Sequence, residues 1–90
     1  MTWNPRDSTR KVQMLEIFVQ HRELKPEEYA TLAGIRPARD AWPYLRRHWR
    51  NGHLRRHRNW AGRLVYEIAP RGAKYLLWWK QTYPDAKVRL

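Results

Sequence analysis

The chain has 90 residues, of which 42% are hydrophobic and six are tryptophan. That is enough apolar material for one small folded domain and too much aromatic content for a disordered basic tail. It has no cysteine, which excludes disulfides, thiolate metal sites and cysteine nucleophiles together. The formal net charge is +11, and a surplus of that size calls for an anionic partner, nucleic acid before membrane or acidic protein.

A first helix is expected from about Pro5–Ser8 to His21, capped by Asn4 or by Asp7 and Ser8. Val12, Leu15, Phe18 and Val19 recur at helical spacing and form its apolar stripe, with Met14 and Ile17 on the flank. Leu24 follows in a short extended connection. Pro26 suits the first position of a second helix, and Glu27 and Glu28 sit where the helix dipole favours negative charge. Tyr29, Ala30, Leu32 and Ala33 supply its packing face, and Gly34 ends it.

A third helix is expected from Pro37 to Asn51, with Ala38, Ala41, Trp42, Leu45 and Trp49 inward. Pro43 interrupts it, and the unbroken apolar phase favours a kink there over two separate pieces. After Asn51-Gly52 the period becomes extended. Leu54–Arg58 and Arg63–Ile68 read as two strands joined by Asn59-Trp60-Ala61-Gly62, a hairpin connection. Pro70 opens a fourth helix to about Gln81, with Ala73, Leu76 and Leu77 on one side, and Pro84 stops it. The expected division is a domain over residues 1–83 and a loose tail over 84–90.

The longest apolar run, Tyr75-Leu76-Leu77-Trp78-Trp79, falls far short of the roughly 18 residues of a membrane span. Residues 1–5 show no stretch of signal-peptide type. The expected setting is the cytoplasm, at the nucleoid if the source is bacterial, with no membrane partner.

The charge is unevenly placed. Residues 1–35 carry five bases and five acids, residues 64–90 carry five bases and two acids, and residues 36–63 carry nine arginines against a single acid, Asp40. Arginine offers planar bidentate pairing to phosphate and to guanine, which lysine does not. The element order, helix–helix–turn–helix–hairpin–helix, is that of a helix-turn-helix followed by a wing, in which the third helix enters the major groove. The fold class expected is therefore α+β, mainly α: a winged helix-turn-helix. Periodicity and charge, two independent signals, select the same 28 residues.

Leu32-Ala33-Gly34-Ile35, the run from Tyr44 to Leu54, Tyr66-Glu67-Ile68-Ala69-Pro70-Arg71-Gly72 and Tyr75-Leu76 together resemble the winged-helix transcriptional regulators of the MarR, PadR and ArsR kind. In those proteins the recognition helix ends in LxxLxxxGLL and the wing returns into YxITxxGxxYL. The resemblance spans about residues 10–80 and implies a prokaryotic DNA-binding regulator. His48 and His53 stand where aliphatics are usual, Ala69 replaces a Thr/Ser cap, and the family's long dimerisation helices, metal sites and effector pockets are not evident.

The expected function is sequence-specific binding of double-stranded DNA. Arg39, Asp40, Pro43, Tyr44 and Arg47 would face the groove floor, with Arg39 and Arg47 reading guanine and Asp40 accepting from a cytosine amino group. Arg36, Arg46 and Arg50 would hold phosphates. Arg55, Arg56, Arg58, Asn59 and Arg63 would set the wing on the backbone or in the minor groove, and Trp60 either wedges against sugars or folds back on the wing.

No small-molecule ligand and no cofactor are expected. No metal is expected either, since His53 and His57 lie in an extended segment with no carboxylate at ligand spacing. No phosphate-cradling loop, carboxylate pair or nucleophile triad suggests an enzyme. Rival readings are RNA binding by the same basic face, and a protein-interaction module built on Trp78, Trp79 and Tyr83. Monomer and homodimer, the latter through the first and last helices, both stay open.

Overall fold

The structure, a computed structural model, describes residues 5–84, and for residues 5–8 the backbone only. The expected cap Asn4 and the tail from Asp85 lie outside the described residues, and Asp7 and Ser8, expected as alternative caps, fall inside α1. The elements are α1 Pro5–Gln20, α2 Pro26–Ala33, a 3₁₀ turn Ala38–Asp40, α3 Ala41–Arg50, β1 Leu54–Arg58, β2 Leu64–Ile68 and α4 Pro70–Thr82. Three helices, a two-stranded antiparallel hairpin and a closing helix make a winged helix-turn-helix, as the periodicity predicts. Among the described residues no helix is long and apolar enough to cross a membrane.

Val12, Met14, Leu15, Ile17 and Phe18 of α1 are all buried and form the spine of the core. Phe18 stacks on Tyr29 of α2 with ring centroids 5.5 Å apart. The start of α2 is fixed locally: the Lys25 backbone N–H donates to Glu28 Oε1 at 2.8 Å, half of a capping box. Leu24 just before it exchanges both backbone hydrogen bonds with Tyr66, at 2.9 and 2.8 Å. That one-residue bridge makes β2 a central strand, flanked by Leu24 on one edge and β1 on the other. Val65 and Tyr66 are accordingly both buried, one on each face of the strand.

α3 does not kink at Pro43. The segment opens as a 3₁₀ turn and becomes α-helical at Ala41, so Pro43 is the third residue of α3. Its missing N–H belongs to the first helical turn, where backbone donors have no intrahelical acceptor, and the proline costs little there. The expected inward face also shifts. Ala41, Leu45 and His48 are buried, while Ala38 is exposed and Trp42 is 55% exposed. His48 takes the central slot that an aliphatic would fill, on one stripe with Ala41 and Leu45, and Trp42 falls on the flank of that stripe.

Four further residues expected on packing faces are at the surface: Val19 on α1, Leu32 on α2, and Ala73 and Leu77 on α4. Each lies at the margin of its helix stripe, beyond the reach of the neighbouring element. On α4 the inward residues are Gly72, Leu76 and Trp79, at i, i+4 and i+7. Trp79 is buried and its neighbour Trp78 is half exposed, and a Lys80–Glu16 ion pair ties α4 to α1. Gly72 permits this docking: a Cβ there would stand 2.3 Å from the His53 carbonyl oxygen, well inside van der Waals contact.

Candidate nucleic-acid interface

The described surface has a groove of about 860 Å³ framed by α3, the start of α2 and the hairpin. One wall is Arg39 of the 3₁₀ turn, Trp42, Pro43, Arg46, Arg47 and Arg50 of α3, and Asn51 just after it. The hairpin contributes Arg56, Arg63, Leu64 and Tyr66, and α2 contributes Lys25, Pro26 and Glu27. Six of the nine arginines between positions 36 and 63 line this one concavity, joined by Lys25 and opposed by a single carboxylate, Glu27. Trp42, Pro26, Pro43 and Leu64 give it apolar stretches between the cations.

Local geometry holds several of these groups in place. Arg56 lies with its guanidinium carbon 3.3 Å from the centroid of the Trp49 ring. This stack leaves the edges of the fork free while covering the indole, which is why Trp49 is half-buried and Trp42, with no such cover, is not. The hairpin loop is organised by Asn59: its Oδ1 accepts from the backbone N–H groups of Ala61 at 2.9 Å and Arg63 at 3.0 Å. Its own N–H donates to Arg63 O, and Gly62 closes the turn with φ of 76°, a left-handed value that favours glycine. Asn59 was expected to touch DNA, and here its carboxamide oxygen shapes the wing.

Not every expected site residue joins the groove. Arg36 is exposed in the loop before the 3₁₀ turn, outside it. Arg55 is exposed on the face of β1 opposite Arg56, across from Glu67. Arg58 donates from Nη1 to Gly62 O at 2.9 Å within the wing. Trp60 is 98% exposed at the hairpin tip, so it does not fold back on the wing. Asp40 and Tyr44 line a second cleft, between α1, α3 and α4. Tyr44 is half-buried there, with the Arg10 guanidinium 4.6 Å above its ring.

Sequence reasoning missed a ladder of rings that runs behind α3: Tyr44, His48, His53, Tyr75, Trp78 and Tyr83, each 4.6 to 6.3 Å from the next. Both histidines in it are buried. Burial first, then the positive charge of Lys11, pushes the His48 imidazole down to about 4 from its ordinary value, and the same two causes bring His53 to about 4. Both are neutral at pH 7 and pack as aromatic rings.

Sequence spacing also offered no carboxylate to His57, yet the fold brings two. His57 Nε2 is 3.2 Å from Glu23 Oε2, and Glu67 completes a group whose ligand-type atoms lie within 4.8 Å of one another. This is a surface cluster on the β1 face that carries Arg55, away from the groove, and the His57–Glu23 contact accounts for it. Pairing across three elements carries no signal in a linear sequence.

Fold and groove together define the class: a winged helix-turn-helix domain with an arginine-lined concavity between its third helix and its wing. No protein family matches the chain, and no curated protein does.

Proposed function

We propose that this protein binds double-stranded DNA sequence-specifically and acts as a transcriptional regulator, with α3 in the major groove and the wing on the backbone or in the minor groove. The supporting observation is the gathering of six arginines along one groove with a single opposing acid. Arginines on adjacent turns of α3 present forks to base edges, while Arg56 and Arg63 on the wing meet flanking phosphates. Arg36, Arg55 and Arg58 stand outside the groove, and their share is electrostatic attraction over longer range.

A second reading has its own observation. Trp42 within the groove and Trp60 at the wing tip are both exposed, and such rings stack on unpaired bases of RNA or of a single strand. Competition among duplex DNA, single strands and structured RNA at fixed salt separates the two, followed by selection from random duplexes. Duplex binding should weaken roughly 10³–10⁵-fold between 50 and 200 mM salt if six to ten phosphates are contacted. A flat salt response, or tighter binding to single strands, would remove the duplex proposal.

A further inference from the structure

The cleft on the other side of α3 holds about 470 Å³ and is built from α1, α3 and α4. Three cations line it: Arg10, Lys11 and Arg47. One carboxylate, Asp40, stands at its α3 end. None of the three cations pairs with a carboxylate among the described residues. Lys11 is the telling one. Its ammonium is half-buried, 3.7 Å from the centroid of Tyr75, and its pKa is lowered by burial and by the nearby Arg71 charge. A cation drawn partly out of water with only an aromatic face against it is under-compensated.

A second, independent observation concerns His48, which also lines the cleft. The residue is 6% exposed, and its Nδ1 is buried with no hydrogen-bond partner. Buried polar atoms in native proteins are normally satisfied, and His48, whose Nδ1 is left without a partner, belongs to the wall of a cleft whose three cations have no carboxylate partner among the described residues. A phosphate group suits it better than a single carboxylate. It carries up to two charges and three or more acceptor oxygens, enough to engage several cations at once.

We propose that this cleft is a phosphate seat, with Arg10, Lys11 and Arg47 supplying the charge. The phosphate belongs either to a nucleic-acid backbone passing α3 on this flank or to a small free phosphate compound. Pro43 and Arg47 line both this cleft and the groove, so an occupant here touches the same turn of α3 that faces the groove. The seat itself does not depend on the duplex reading above.

The test is an amide and side-chain NMR titration of the whole chain with inorganic phosphate, at ionic strength held constant with chloride. Saturable shifts should concentrate at Arg10, Lys11, Arg47, His48 and Tyr75. Lys11→Gln and Arg10→Gln should each weaken the response about tenfold or more, while Lys74→Gln, on α4 outside the cleft, should leave it intact. Unchanged thermal melts keep the two cleft variants interpretable. Non-saturating shifts spread over all basic residues, or a response indifferent to both cleft variants, would overturn the proposal.

A duplex titration of the same variants then assigns the source. If Lys11→Gln weakens duplex binding and makes its salt slope shallower by about 0.9, the seat receives a backbone phosphate. If duplex binding is unchanged while inorganic phosphate no longer binds, the occupant is a free phosphate compound. Absence of duplex binding by the native chain would remove the DNA proposal and leave the phosphate seat standing.

Discussion

Acid should destabilise this protein through His48. His48 is 6% exposed, and its imidazole is brought to about 4 from its ordinary value of 6.5 by burial and by the Lys11, His53, Arg47 and Arg10 charges. The folded state therefore binds a proton less readily than the unfolded chain, and the neutral ring is the stabilised form. Its contribution is full above about pH 6.5 and is lost as the pH falls toward 4. A shift of that size corresponds to about 3 kcal/mol at most, against a total of about 5–15 kcal/mol for a domain. His53 shifts in the same direction and adds to the loss. The assay is urea unfolding at a series of pH values, compared with His48→Leu, which cannot take up the proton. The native midpoint should drop between pH 6.5 and 4 more steeply than that of His48→Leu. Parallel curves for the two proteins would refute the buried neutral imidazole.

Gly72→Ala should destabilise by about 1–3 kcal/mol, the usual cost of overpacking, because the new methyl would meet the His53 carbonyl at 2.3 Å. Thermal melting checks it, and an unchanged midpoint would mean that α4 docks less closely than described. Ala69 occupies the N-cap of α4 in extended conformation with no side-chain cap, so Ala69→Ser should gain about 1 kcal/mol, seen as a melting point raised by about 4–8 °C. Arg46→Ala and Arg50→Ala should each weaken duplex binding, by about 1–3 kcal/mol where a base is read, and Arg55→Ala much less. Equal losses at all three, measured by fluorescence anisotropy at fixed salt, would deny the groove its special role. Arg56→Lys keeps the charge but not the planar stack on Trp49, so a loss of duplex affinity there would show that positioning matters beyond charge.

Element order and the basic stretch were legible because helical and extended periods, and a run of arginines, are local properties. What was not legible depends on neighbours. Trp42 and Trp49 share one flank of α3, and only the arrival of Arg56 from β1 covers one and not the other. His48 reads as polar, and it becomes core because the rings of Tyr44 and His53 pack against it, with Tyr75 behind His53. Pro43 reads as disruptive only in a helix that starts at Pro37; in one that starts at Ala41 the same residue is unobjectionable. The split of Arg55 from Arg56 follows from strand alternation, whereas the grouping of Glu23 with His57 and Glu67 needed the β-bridge at Leu24.

Part of the groove's frame, the wing and its Arg56, is fixed before any partner arrives. Asn59 ties the wing loop with two backbone hydrogen bonds, Arg58 reinforces it, and Arg56 is laid flat on Trp49. Behind α3 the ring ladder packs against α4 without a flexible side chain between its members. Fixing cations in advance reduces the entropy lost on association, and under the proposed function it would favour discrimination among duplexes sharing the same backbone charge. A basic tail would gain the same charge attraction and none of the geometric selection, and the exclusive use of arginine between positions 36 and 63 is consistent with selection by shape as well as by charge.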